Sequence, residues 1–253
     1  MKVSIITVSF NSAATIRDTI ESVLEQNYPN IDYLIIDGGS TDETLSIISE
    51  YDSRIATVIS ERDLGIYDAM NKGIHLASGE IIGILNSDDI YMDKNSVTQL
   101  VAPIVEGKSE SAFADLIVVS TNDLNKVVRY YDSSYFSPAM FRFGWMPAHP
   151  TFFVKKSCYA LVGDYSLDYK IAADYEMLIR LLSIEGISYT YIPKPLIKMR
   201  FGGASSANLG RVWRLNCEIV HACRRNGIWT MLPLLLLKLP KKLAGRFFKR
   251  KFK

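Results

Sequence analysis

The chain has 253 residues, of which 48% are hydrophobic and 22% charged, a mix that suits one sizeable core with or without a C-terminal appendage. Eight of the 29 basic residues stand at or beyond Lys238 and no Asp or Glu follows Glu218, so 21 basic residues face 27 acidic ones before the tail, a net of −6. An acidic body argues against a nucleic-acid binder, three scattered cysteines (Cys158, Cys217 and Cys223) argue against a disulfide framework or zinc site and suit a reducing compartment, and no apolar run reaches the ~18 residues of a spanning helix.

The opening MKVSIITVSFNS lacks a small-residue cleavage site and reads as a first strand, Lys2 to Phe10. Asn11 is placed to cap the following helix, where Ile16, Ile20, Val23 and Leu24 keep helical spacing. Tyr33 to Ile36 is a second strand ending at Asp37. The loop GGSTDE then opens a helix, with Ser40 and Glu43 spaced as a capping box and Asp42 favoured by the dipole of the first turn. Ile55 to Ser60, helix Tyr67 to Ala77 and strand Glu80 to Asn86 follow. Strands alternating with helices predict a doubly wound, mostly parallel α/β sheet. Beyond residue 90 the pattern loosens. Strands are expected at Ala112 to Ser120, Lys126 to Tyr131, Thr151 to Val154 and Tyr189 to Ile192, and helices at Asp174 to Glu185 and Leu209 to Arg225. Gly202 and Gly203 mark a loop between the last of these.

The run IIGILNSDD ends a buried strand on two adjacent carboxylates, Asp88 and Asp89. Ligands of such sheets sit at the carboxyl ends of the strands. A divalent cation bridging to phosphate would relieve the repulsion within the pair; a solvated cap of the next element is the alternative. Asp37, Asp42 and Asp63 fall on the same edge of the sheet.

Eight segments in order resemble a family 2 glycosyltransferase of the GT-A fold, the group that builds bacterial surface polysaccharides of the colanic acid and exopolysaccharide type. They are VSIITVSFN, SVLEQNYPN, LIIDGGSTDET, ERDLGIYDAMNKGI, SGEIIGILNSDD, HPTFF, IAADYEMLIRL and FGGASS, covering residues 3–206. The resemblance implies a Rossmann-like GT-A domain over residues 1–206, with a nucleotide-binding half to about residue 95 and an acceptor half to 206. Residues 207–253 then form C-terminal helices and a basic amphipathic tail. It implies a nucleotide-diphosphate sugar as donor and Mn²⁺ or Mg²⁺ as cofactor. Thr7, Ser9 and Asn11 would lie near the nucleoside and Asp37 at the base or ribose. Asp63 and Asp68 would belong to the segment closing over the nucleotide, and Gly202 and Gly203, with Ser205, to a loop over the pyrophosphate. Asp89 would bind the cation and Asp88 the sugar or ribose. Asp174 would be the base that activates the acceptor hydroxyl, giving inversion at the anomeric carbon. His149 is assigned to the metal, the pyrophosphate or the acceptor, and Trp145 to stacking on an acceptor sugar.

Two positions depart from the family pattern. Gly38 stands where many relatives carry a second Asp that reads uracil, and Ser87 where a first metal-motif Asp is often found. The tail from Trp229, with Leu232 to Leu239, Phe247, Phe248, Phe252 and eight basic residues, reads as an interfacial anchor on an anionic membrane, or else as a packing helix with a solvated basic end. An acceptor linked to polyprenyl pyrophosphate would then be met at the cytoplasmic face of the plasma membrane. Two other functions compete: an inactive sugar-nucleotide-binding assembly subunit, and a nucleotidyltransferase. The latter would need a basic, glycine-rich phosphate loop where this chain has SFNSAAT.

Overall fold

The computed structural model describes residues 1–202 and 209–236. Strands β1 (Val3–Ser9), β2 (Ile31–Asp37), β3 (Thr57–Ser60) and β4 (Ile81–Asn86) run parallel in the order β3-β2-β1-β4. Helices α1 (Ile16–Leu24), α2 (Thr44–Ser49) and α3 (Ile66–Leu76) carry the chain back between them. Every residue of β1 is buried, as expected of a sheet covered on both faces. Alternate side chains feed two cores. Ile6, Val8, Leu34, Ile36, Ile82 and Ile84 meet Met70 and Ile74 of α3 on one face. Ile5, Tyr33, Ile35, Ile81 and Leu85 meet Ile16, Ile20 and Val23 of α1 on the other. Each fully buried aliphatic side chain here contributes about 1.5–3 kcal/mol. Gly73 lets α3 sit close, because a Cβ there would lie 2.4 Å from Ile6 Cγ2.

The second half is mixed rather than parallel, which corrects the expected mostly parallel sheet. It comprises β5 (Asp89–Tyr91), α4 (Ser96–Val105), β6 (Ser111–Ser120), β7 (Asp123–Tyr131), β8 (Phe153–Lys155), α5 (Lys156–Val162), α6 (Ala173–Ile179), β9 (Tyr189–Arg200), α7 (Leu209–Arg225) and α8 (Leu232–Leu236). Strand β8 lies antiparallel between β4 and β6; β6 pairs antiparallel with β7 and parallel with β9; β5 closes the edge antiparallel to β9. The short β6–β7 connection forces a hairpin, and hairpins are antiparallel.

Several boundaries move for identifiable reasons. Strand β9 runs to Arg200 rather than stopping at Ile192, because a register shift opposite Asp115 lets it pass Pro193 and Pro195. The helix expected to reach Glu185 is α up to Ile179 and widens into a π turn from Arg180 to Ile184. Asn11 does not cap α1. It has φ +48, and its Oδ1 accepts the Thr41 N–H. The capping box also fails, since Ser40 donates to Asp37 and α2 starts only at Thr44. Asp42 precedes that helix and accepts from the Thr44 N–H and hydroxyl.

Beyond the loop, α7 adds Ile219, Ala222 and Cys223, and α8 adds Leu235, to the core on the α3 side of the sheet. Thr230 is 1% and Leu235 0% exposed. Thr230 and Leu235 therefore pack on the protein, while Trp229 and Met231 stay exposed. No helix among the described residues is long and apolar enough to cross a membrane. The basic part of the tail, and the loop residues Gly203 and Ser205, lie outside the described residues.

Candidate active site

The carboxyl edge of β1, β2 and β4 gathers Ser9, Asp37 and the Asn86–Asp89 segment, in register across neighbouring strands. Asp37 has no exposed surface. Its carboxylate accepts from the hydroxyls of Ser9, Ser40 and Ser60 and from the backbone N–H groups of Gly39 and Ser40. Burial alone would raise its pKa, but these hydrogen bonds outweigh it and bring the carboxyl below the ordinary range. Asp37 thus organises the GGST loop from beneath. Thr7 is likewise buried and accepts from the Tyr33 hydroxyl at 3.1 Å. Asn11 joins the two loops above them.

Gly38 and Asp63 fit each other. A Cβ on residue 38 would lie 2.5 Å from Asp63 Oδ2. The carboxylate of Asp63 therefore occupies the space that any side chain at 38 would claim. Its Oδ1 accepts the Gly65 N–H at 2.9 Å. Asp68, on the first turn of α3, accepts the Leu64 N–H and lies 3.4 Å from Lys72. It holds its own loop.

The adjacent carboxylates diverge. Asp88 is partly exposed, whereas Asp89 is 1% exposed. Asp89 begins β5, its carbonyl accepts from Thr19 on α1, and its Oδ2 accepts from Asn86 at 3.1 Å. Burial raises the Asp88 carboxyl; burial, and then the Asp88 charge, push Asp89 well above the ordinary range. Arg200, itself 5% exposed, donates to the Asp88 carbonyl at 3.0 Å and pairs with Asp18. Asn86 Oδ1 and Asp89 Oδ1 are buried without a hydrogen-bond partner. The orphaned Asn86 oxygen, two residues from the partly exposed Asp88 carboxylate, fits a hard divalent cation such as Mn²⁺ or Mg²⁺. Among the described residues no three His, Cys, Asp or Glu side chains converge. Such an ion would draw its remaining ligands from phosphate and water.

A second cluster is built around Asp174 at the start of α6. Burial raises its carboxyl, while the nearby His149 and the Tyr175 N–H, which donates to Asp174 Oδ1 at 2.7 Å, pull it back. His149 is 8% exposed, with Nε2 3.0 Å from the Tyr165 hydroxyl. Burial holds its imidazole below the ordinary range, and the Asp174 charge opposes that. Tyr67 ties this cluster to the donor half. It lies on the first turn of α3, stacks on Tyr165 at 5.9 Å, and donates to the Ile171 carbonyl at 2.6 Å. Trp145 lines an apolar recess with Tyr135, Phe136, Met140 and Met146. Gly202 is exposed with φ +109, a conformation that side chains rarely adopt.

Sequence reading missed Asn86, Tyr67, Tyr165 and Arg200 as site residues. Tyr67 and Asn86 stand inside segments already singled out. Tyr165 and Arg200 carry no local signal, since their roles depend on partners far away in the chain.

Carboxylates thus gather along the edge of the parallel strands, and the second half supplies one more raised carboxyl. Residues 4–160 match the family model described as glycosyl transferase family 2, and the chain belongs to that family. It is 28% identical over 215 residues to a PGL/p-HBAD biosynthesis glycosyltransferase of Mycobacterium bovis, covering 80% of this chain and 78% of that one. It is 41% identical over 101 residues to TuaG, a putative teichuronic acid biosynthesis glycosyltransferase of Bacillus subtilis, covering 39% of this chain and 40% of that one. Its fold matches residues 1–349 of S. aureus TarS, solved with UDP-GlcNAc, at a TM-score of 0.68 and 17% identity, covering 96% of this chain and 73% of the other. It also matches the mannosyltransferase PcManGT of Pyrobaculum calidifontis, solved with GDP-Man and Mn²⁺, at 0.62 and 16% identity, covering 98% and 81%. The mixed sheet is thus that of the GT-A glycosyltransferases.

Proposed function

We propose that this glycosyltransferase moves a sugar from a nucleoside-diphosphate donor to a hydroxyl of a glycan acceptor, with inversion, in surface polysaccharide synthesis. One observation carries the reading: Asp174 opens α6 just beyond the segment that Tyr67, on the first turn of α3, holds by its hydrogen bond to the Ile171 carbonyl. Asp174 takes the proton of the acceptor hydroxyl. The freed oxygen attacks the anomeric carbon as the bond to the diphosphate breaks, and the nucleoside diphosphate leaves with the electron pair. A single carboxylate acting on the face opposite the leaving group gives inversion. A divalent ion, when bound, neutralises the charge developing on the diphosphate as a Lewis acid. Asp88, with Asn86, is the better holder for it than the buried Asp89. Asp63 faces the donor across Gly38. Structural neighbours support the donor class through UDP-GlcNAc and GDP-Man, and the ion through Mn²⁺. The acceptor is lipid-linked and met at the cytoplasmic membrane face, which the basic tail from Lys238 supports.

The test is a panel of UDP-, GDP- and dTDP-sugars with Mn²⁺ or EDTA, read by thermal shift and by release of nucleoside diphosphate. One donor should stabilise the protein by mass action and be hydrolysed slowly only with the ion. Stabilisation with neither hydrolysis nor transfer would instead make the protein a binding subunit.

A further inference from the structure

We infer that Glu218, on α7, is the positioning residue for Asp174. The inference rests on Asp174 being the acceptor base. The segment from Asp168 to Ala172, just before α6, has no regular structure of its own. Its backbone is held from outside. The carboxylate of Glu218 accepts three successive N–H groups, those of Lys170, Ile171 and Ala172, at 3.2, 2.9 and 3.0 Å. The carbonyl of Ile171 faces the other way and accepts from Tyr67. One peptide segment is thus fixed between the donor half and α7, two residues ahead of Asp174. Ala172 then accepts the Glu176 N–H and starts the helix that carries the base.

The rest of α7 is arranged to the same end. His221 Nδ1 lies 3.0 Å from the Tyr169 hydroxyl, and Arg225 pairs with Asp168 at 2.7 Å. Positions 218, 221 and 225 share one face of a helix. The neighbouring face, Ile219, Ala222 and Cys223, is buried in the core. Packing alone would need only the apolar face. The polar face meets the segment from 168 to 172 at five points. A carboxylate is suited to this task, since it offers two acceptor oxygens with several lone pairs. Glutamine offers one.

The consequence is kinetic. A base displaced by about 1 Å can lose on the order of 10²-fold in rate while the donor site, built on β1, β2 and β4, is untouched. Glu218→Gln and Glu218→Ala in the full chain should lower the turnover of transfer by about ten- to a hundredfold. Donor Kd should stay within about twofold, and Ala should be the more severe. A purely structural role would lower thermal stability and donor affinity together. The deciding measurement is a cycle with Asp174→Asn. If Glu218 acts through Asp174, Glu218→Gln should cost less than about twofold in the Asp174→Asn background. An equal cost in both backgrounds overturns the proposal, as does wild-type turnover in both Glu218 variants. If Asp174→Asn alone leaves turnover unchanged, the base assignment fails and this inference falls with it. A crippled Asp174→Asn beside additive Glu218 variants sinks only the role of Glu218.

Discussion

Gly38→Ala isolates the fit between residue 38 and Asp63. The backbone at 38 does not lie in the left-handed region, so alanine brings no conformational strain there. Its Cβ would meet Asp63 Oδ2 at 2.5 Å and Cγ at 3.0 Å. Non-bonded heavy atoms rest at about 3.5 Å, so the carboxylate must retreat by roughly 1 Å. It can do so by rotating about its own side-chain bonds, at the expense of the hydrogen bond from Gly65. The fold is spared, because Asp63 sits in a partly exposed loop, and surface changes of this kind stay within about 0.5 kcal/mol. A donor held by Asp63 is not spared. Losing a hydrogen bond to a charged group costs about 1.5–3 kcal/mol, which is about ten- to a hundredfold in Kd. Calorimetric titration of the donor into wild type, Gly38→Ala, Asp63→Asn and the double variant reads this directly. The two single losses should be similar and non-additive, with melting temperatures unchanged. Wild-type affinity in Gly38→Ala beside a weakened Asp63→Asn would refute the reasoning, for the carboxylate would then reach the donor from elsewhere.

Three further outcomes are expected. Asp88→Asn should abolish Mn²⁺-dependent donor binding, whereas Asp89→Asn should retain it within about threefold and melt higher at neutral pH, since it removes a buried, raised carboxyl; equal losses in Mn²⁺ titrations would place both carboxylates on the ion. Asp174→Asn should cut turnover by about 10²–10⁴-fold at constant donor affinity, and the acid limb of wild-type kcat/KM should sit above the ordinary carboxylate range, because the folded-state pKa of Asp174 is raised. In that window the folded state binds more protons than the unfolded one, so stability falls as pH rises, and the Asn variant should melt higher at neutral pH; an unchanged melting profile would argue against burial as the cause. Truncation after residue 236 keeps Thr230 and Leu235 packed, so donor hydrolysis should persist while flotation with anionic liposomes at low salt is lost.

The first half of the fold was legible because its signals are local. An apolar strand run and the polar residue that ends it are contiguous, and β1, β2 and β4 fall where the letters put them. The second half depends on pairing between distant segments. Nothing near Pro193 and Pro195 announces that β9 continues, since the bulge that admits them is set by β6. Strand β5 is three residues long and is a strand only because β9 lies beside it. The same division runs through the site. Residue types at the sheet edge could be read as carboxylates near a ligand. Which of Asp88 and Asp89 faces outward could not, because a turn at 87–88 separates β4 from β5 and the pairing of Asp89 with the distant Met199 fixes where that turn ends. Asp37 shows the limit most clearly. Its place in a recognisable segment suggested a ligand; the five hydrogen bonds it accepts, from the ends of β1 and β3 and from its own loop, could not be read there.

Asp174 joins these levels. A carboxylate at its ordinary pKa would be fully ionised at neutral pH but a weak base toward an alcohol, and proton transfer works best when the pKa approaches the working pH. Burial among Tyr67, Tyr131, His149 and Tyr165 drives the pKa upward. His149 and the N–H of Tyr175, which donates to Asp174 Oδ1 at 2.7 Å, oppose that rise. Tyr67 acts on position: its one hydroxyl proton goes to the Ile171 carbonyl at 2.6 Å and fixes the segment that leads into α6. Its place on α3, directly after the Asp63 loop, makes the first half of the fold a determinant of where Asp174 stands. With Asp174 as the proposed base, replacing Tyr67 with Phe should lower turnover at unchanged donor Kd, as loss of positioning predicts. Unchanged turnover in that variant would refute the reasoning.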